Sequence, residues 1–135
     1  MIYLHLAPDA DPPAILALPS RFVVVAEVEV SLEWQQRVSD WMVASGCLYM
    51  MAWGCGCSTW DDSVDWANID RRKCDPIPDN ELVMTSWHDD ESLIDVFEFS
   101  KTVAQHSCVD IVRTVILDIS TRSRKEELVN LYLSA

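Results

Sequence analysis

Two short strings hold most of the residues in this sequence that could do chemistry. One is Trp53-Gly54-Cys55-Gly56-Cys57-Ser58-Thr59-Trp60-Asp61-Asp62, with Asp65 close behind; the other is Thr85-Ser86-Trp87-His88-Asp89-Asp90-Glu91. Between them they offer two thiols, one imidazole, a row of carboxylates and three indoles. Cys55 and Cys57 precede an expected helix, whose N-terminal partial charge favours a thiolate. That would suit a nucleophile, a redox pair or a metal ligand. Redox pairs of the thioredoxin type keep two residues between the cysteines, and here only Gly56 intervenes. Cys55, Cys57, His88 and Cys74 could together surround a zinc ion, but no second closely spaced ligand pair exists, so no metal or other cofactor is expected.

His88 beside Asp89 and Asp90 has the make-up of a general base oriented by a carboxylate, and a serine or cysteine would complete a hydrolase triad. The Gly-x-Ser-x-Gly nucleophile elbow is absent, however. The plainer alternative makes His88 the polar end of a strand and Asp89 or Asp90 a helix cap. Asp61, Asp62 and Asp65, with Asp118, have the residue types of a magnesium site in receiver-like folds. Such folds place an aspartate at the end of the first strand, where this chain has Glu27, Glu29 and Val30. Dipole matching at a helix start explains the same aspartates. Trp53, Trp60 and Trp87 suit a binding surface, since indoles are enriched at binding hot spots, and they suit loop packing equally.

These strings lie in a chain that alternates strand and helix patterns. Ile2–Leu6 reads as a short strand, followed by a proline-bearing arm to about residue 20 with a turn of helix at Ala14–Leu18. Phe22–Val30, Cys47–Trp53, Leu82–Trp87 and Ile111–Ile119 are apolar, β-branched runs that predict buried strands. Between them the spacing predicts helices from Ser31 to Ser45 with Gly46 beyond its end, from Trp60 to Arg72 capped by Ser58 or Thr59, and from Glu91 to His106 capped by Asp89 or Asp90. Ser123 and Glu126 predict a capping box for a last helix whose inner face carries Leu128, Leu131 and Tyr132. Apolar strands separated by helices imply an α/β fold: one domain over residues 1–135, a three-layer α/β/α sandwich around a mainly parallel, doubly wound sheet of four or five strands. Ligands of such folds sit outside the carboxyl ends of the strands, where both strings fall.

The formal net charge is −12, and it is uneven: residues 1–70 hold ten acids and two bases, residues 71–135 twelve acids and eight bases. That field repels nucleic acid and anionic lipid and attracts basic partners. Neither a phosphate-binding Gly-x-x-x-x-Gly-Lys nor a Gly-x-Gly-x-x-Gly occurs, so nucleotide binding is not expected. No apolar run reaches the ~18–20 residues needed to span a bilayer, and no signal-peptide pattern opens the chain. A cytoplasmic protein is therefore expected, with its five cysteines as thiols and Cys47 and Cys108 in the core.

The strings Trp53–Asp65 and Thr85–Glu91 resemble those of an uncharacterised family of small acidic bacterial α/β domains. In size and acidity the chain is also similar to bacterial immunity proteins, which neutralise cognate toxins by binding them. The −12 charge, the rim indoles and the lack of a catalytic signature, together with that likeness, lead to the expectation of a small cytoplasmic binding protein, an immunity protein or antitoxin for a basic protein partner. Its surface would be Trp53, Trp60, Asp61, Asp62, Asp65, Trp87, His88, Asp89 and Asp90; a homodimer is compatible with the same surface. The alternative is a small hydrolase or a thiol- or metal-dependent enzyme working through Cys55, Cys57, His88 and Asp61.

Overall fold

The computed structural model describes residues 1–73 and 75–135. Its strands are β1 (Ile2–Leu6), β2 (Ser20–Ala26), β3 (Cys47–Gly54), β4 (Met84–His88) and β5 (Arg113–Ile119). Its helices are α1 (Leu32–Ala44), α2 (Cys57–Arg71), α3 (Leu93–Thr102) and α4 (Lys125–Ser134). The five strands form one sheet in the order β1-β5-β2-β3-β4, and every neighbouring pair is parallel. The predicted α/β sandwich is thus the fold, with the N-terminal strand taking part at one edge.

The near-continuous apolarity of the central strands follows from burial on both faces. In β2, Phe22, Val24 and Ala26 meet α1 and α2, while Val23 and Val25 meet α3 and α4. Met50 and Ala52 of β3 and Val115 and Leu117 of β5 continue the first core; Met51 and Ile116 continue the second. Trp34 and Trp60 pack edge to face between α1 and α2, with ring centres 6.4 Å apart. The helices following β3 and β4 lie on opposite faces, as do those following β2 and β5. Each of these divergences is a switch point at the carboxyl edge of the sheet, the usual place for a ligand in such folds.

Several boundaries differ from the sequence expectation. β2 stops at Ala26, because its neighbours stop with it: Ala26 pairs with Gly54 on one side and Ile119 on the other. α2 starts at Cys57 with Gly56 as its N-cap, and neither Ser58 nor Thr59 caps it. The Thr59 hydroxyl instead turns back to the Gly56 carbonyl at 2.7 Å. Ser92 caps α3, accepting from the Asp95 N–H, so Asp89 and Asp90 remain in the loop. The capping box of α4 does not form; Ser123 is 3.1 Å from the Tyr3 hydroxyl, and Arg124 occupies the cap position. Residues 14–18 have no helical turn. Cys47 is buried, but Cys108 is exposed, because α3 ends at Thr102 and the following segment runs over the surface. Gly46 follows α1 with φ +93°, as the expected C′ residue, and a Cβ there would collide with the Leu18 carbonyl.

Candidate functional site

β3 and β4 are neighbours, and Trp53 stands opposite His88 in their register. The two chemistry-bearing strings therefore share one rim. The Trp53 indole N–H donates to the Glu91 carbonyl at 2.8 Å and ties the strings together. At Gly54, φ is +99° and an added Cβ would fall 2.2 Å from the Ala26 carbonyl oxygen. Only glycine allows that approach, which lets the Cys55 N–H donate to Ala26 O at 2.8 Å. The exposed Cys55 thiol then donates to the Glu27 carbonyl at 3.2 Å.

Cys57 goes elsewhere. It is buried in the first turn of α2, and burial pushes its thiol pKa up, with the nearby Asp89 carboxylate acting the same way. The thiolate expected from the helix dipole does not result, because desolvation outweighs the dipole when the first turn is covered. Trp60 is 1% exposed and belongs to the core against Trp34, so it leaves the rim. Asp62, Trp87, Asp89 and Asp90 are exposed.

His88 is buried, with its ring 5.0 Å from that of Phe99 and both nitrogens engaged. Nδ1 meets the Glu91 carboxylate, and Nε2 lies 2.9 Å from the Ser86 hydroxyl. A carboxylate only accepts, so Nδ1 carries the proton in the neutral ring, and Nε2 accepts from Ser86. The partner of His88 is thus Glu91 rather than Asp89 or Asp90. Ser86 and His88 share a face of β4 by strand alternation, and the result is a serine–imidazole–carboxylate chain on an edge strand.

On the other face of β4, towards α2, lies a different arrangement. Thr85 donates to Asp65 Oδ1 at 2.9 Å. Asp61, one helical turn before Asp65, is 6% exposed, and its Oδ2 is buried without a hydrogen-bond partner. Burial, then the negative charge of Asp65, pushes the Asp61 carboxyl up to about 6. Trp87 follows Thr85 by two residues on the same face and is 52% exposed.

At the opposite end of the carboxyl edge, Asp118 is fully buried and receives the Tyr3 hydroxyl, the Arg124 N–H at 3.2 Å and the Arg124 guanidinium at 2.9 Å. Burial alone would raise the Asp118 carboxyl, but the hydrogen bonds from Tyr3, Arg124 and Ser120 outweigh it and hold the pKa below the ordinary value. Arg124 Nε also lies 3.1 Å from Glu27 Oε2, as an ion pair not aligned for a hydrogen bond. Asp118 therefore serves an ion pair and does not join Asp61, Asp62 and Asp65. Sequence reasoning missed this cluster: Tyr3 and Asp118 are 115 residues apart, and only the β1–β5 pairing joins them.

Among the described residues, no three of His, Cys, Asp and Glu gather so as to hold a metal ion. Cys74, the fourth residue of the zinc set considered from the sequence, lies outside the described residues. A cavity of about 340 Å³ lies at the amino-terminal end of β3, lined by Leu18, Val43, Cys47, Asn68 and Arg72. It is at the wrong end of the sheet for the rim residues, and two of its polar groups, Arg72 and Asn68, are engaged. Arg72 pairs with Glu81, and the Asn68 amide bridges the Glu81 carbonyl and the Val83 N–H, each at 3.0 Å.

A family model, Domain of unknown function (DUF7684), matches residues 1–135. No curated protein and no solved structure matches the chain at a significant level. The chain belongs to the DUF7684 family.

Proposed function

We propose that this member of the DUF7684 family is a binding protein that covers a basic surface on a protein partner, as an immunity protein or antitoxin does. One observation carries the reading. β4 is an edge strand that exposes Trp87 among Asp61, Asp62, Asp65, Asp89 and Asp90, none of which is ion-paired among the described residues. An exposed indole in an uncompensated acidic field suits a cationic, partly apolar partner. Trp66 on α2 is also exposed and adds to the apolar part of this face. A second copy is a poorer occupant, because pairing two β4 edges would oppose the same carboxylates across the interface. No helix among the described residues is long and apolar enough to cross a membrane.

The test is affinity capture with the product of the neighbouring gene at moderate salt. Retention is expected, with loss on combining Trp87→Ala with Asp89→Lys and Asp90→Lys. No retention, together with a neighbour that is harmless when expressed alone, removes the reading.

A second reading, a small hydrolase, has the Ser86–His88–Glu91 chain in its favour. Its nucleophile would be Ser86, with Cys55 and Cys57 taking no part: His88 Nε2 receives the Ser86 proton as the oxygen attacks an acyl carbon, then returns it to the leaving group. A fluorophosphonate probe decides it. Labelling at Ser86 that disappears in His88→Ala supports the hydrolase, and an unlabelled Ser86 ends it.

A further inference from the structure

Asp61 is the least accounted-for charge in the molecule. Its Oδ2 is buried without a donor, and native folds seldom leave a buried carboxylate oxygen unpartnered. The groups facing it are Asp65 and Asp62 from its own helix and the Thr85 hydroxyl from β4. Thr85 lies within reach of both carboxylates, but its one hydroxyl proton goes to Asp65 at 2.9 Å. The charged neighbours are both acids, so the site lacks a cation that the chain itself does not bring.

We propose that the Asp61–Asp65 pair is the seat of one lysine or arginine side chain, carried by an extended segment of the partner that adds to the free edge of β4, with its alkyl stem against Trp87. This rests on the binding reading above and names the chemistry of its central contact. An added strand puts alternate side chains on the α2 face, roughly 7 Å apart, the same period that separates Thr85 from Trp87. A cation near Asp65 therefore has the indole beside it, which favours an ammonium or guanidinium carried on a methylene stem. Two carboxylates and one hydroxyl are few ligands for a metal ion, whereas a cationic side chain seated on the half-buried Asp65 brings its own N–H donors and places a positive charge beside the orphaned oxygen. Protonation of Asp61 below about pH 6 would remove half of the receiving charge, so the contact weakens on acidification.

The probe is a blocked peptide of alternating valine and lysine, titrated into the isotope-labelled full chain, with a valine–glutamate peptide as control. Saturable shifts are expected in the Thr85–His88 amides and in the Asp61 and Asp65 carboxyl carbons. Affinity should fall about tenfold or more in Asp61→Asn/Asp65→Asn and again on lowering the pH through the Asp61 titration. Trp87→Ala, a surface change that keeps the fold, should weaken binding as well. Unchanged affinity in the double variant, or no saturable shift at millimolar peptide, overturns the inference. If capture of the protein partner still succeeds, only the seat is wrong; if both fail, the binding reading goes with it.

Discussion

The carboxyl edge of this sheet carries two acidic clusters with opposite electrostatics. At the β1–β5–β2 end, Asp118 is fully buried yet satisfied by Tyr3 and Arg124. At the β4 end, Asp61 is nearly as buried and faces only acids and a committed hydroxyl. The first cluster is internally balanced and ties β1, β5 and the entry to α4 together. The second is left unbalanced in the folded chain, at a cost in stability. Buried charge alone is no ground for proposing a site; buried charge without its counter-ion, beside an exposed indole, is the ground for the cation seat proposed at Asp61 and Asp65.

The largest effect expected from this contrast is at Asp118. Asp118→Ala takes the buried partner from the Arg124 guanidinium and the Tyr3 hydroxyl, leaving them only Glu27 and Ser123, and urea unfolding should show a loss of about 2–4 kcal/mol. A loss below about 1 kcal/mol would mean that the ion pair is not the tie described. Next is Asp61→Asn, which should stabilise the protein near neutral pH by about 1–2 kcal/mol, less than the full shift implies because Asp65 opens to solvent.

The pH dependence separates the two carboxyls. The Asp61 pKa is raised in the fold, so its contribution is fully present below its unfolded value and is lost as pH rises through about 6. The Asp118 pKa is lowered, so its contribution is present above its unfolded value and is lost as pH falls through the folded one. Unfolding of the wild type, followed from neutral pH downwards, should therefore show a gain near pH 6 that Asp61→Asn abolishes, then a decline that Asp118→Ala abolishes. Equal pH profiles for wild type and Asp61→Asn would remove the asymmetry. The smallest stability effect is at Trp87: Trp87→Ala should change unfolding by less than about 0.5 kcal/mol while weakening partner capture. A large destabilisation there would mean that the indole packs the loop rather than waits for a partner.

Much of the frame was legible beforehand. Strand–helix alternation, the Ser31 cap, Gly46 after α1 and the apolar face of α4 all come from local rules of period and capping. The failures were local conflicts settled by distant groups. Asp89 and Asp90 are good caps in isolation, but the Trp53–Glu91 hydrogen bond and the His88–Glu91 pair hold that loop and leave the cap to Ser92. Ser123 is a good capping-box residue, but the Tyr3 hydroxyl takes it. At the rim, sequence reasoning placed Trp53, Trp87, His88 and the aspartates near one another. It did not separate Trp60 and Cys57, which are buried, from their exposed neighbours, nor find the roles of Ser86, Thr85 and Glu91.

By itself, then, the sequence determined the class of the fold and the excess of negative charge, because periodicity and composition are properties of the chain. The strand order β1-β5-β2-β3-β4 and the faces taken by each helix were decided by tertiary packing. Packing also decided which acids meet a base. Asp118 and Asp61 look alike in the sequence. One met Arg124 at the entry to the next helix and Tyr3 across the β1–β5 pair, and the other met Asp65 on its own helix, because such contacts depend on distance in space, and that distance is set by how the chain packs.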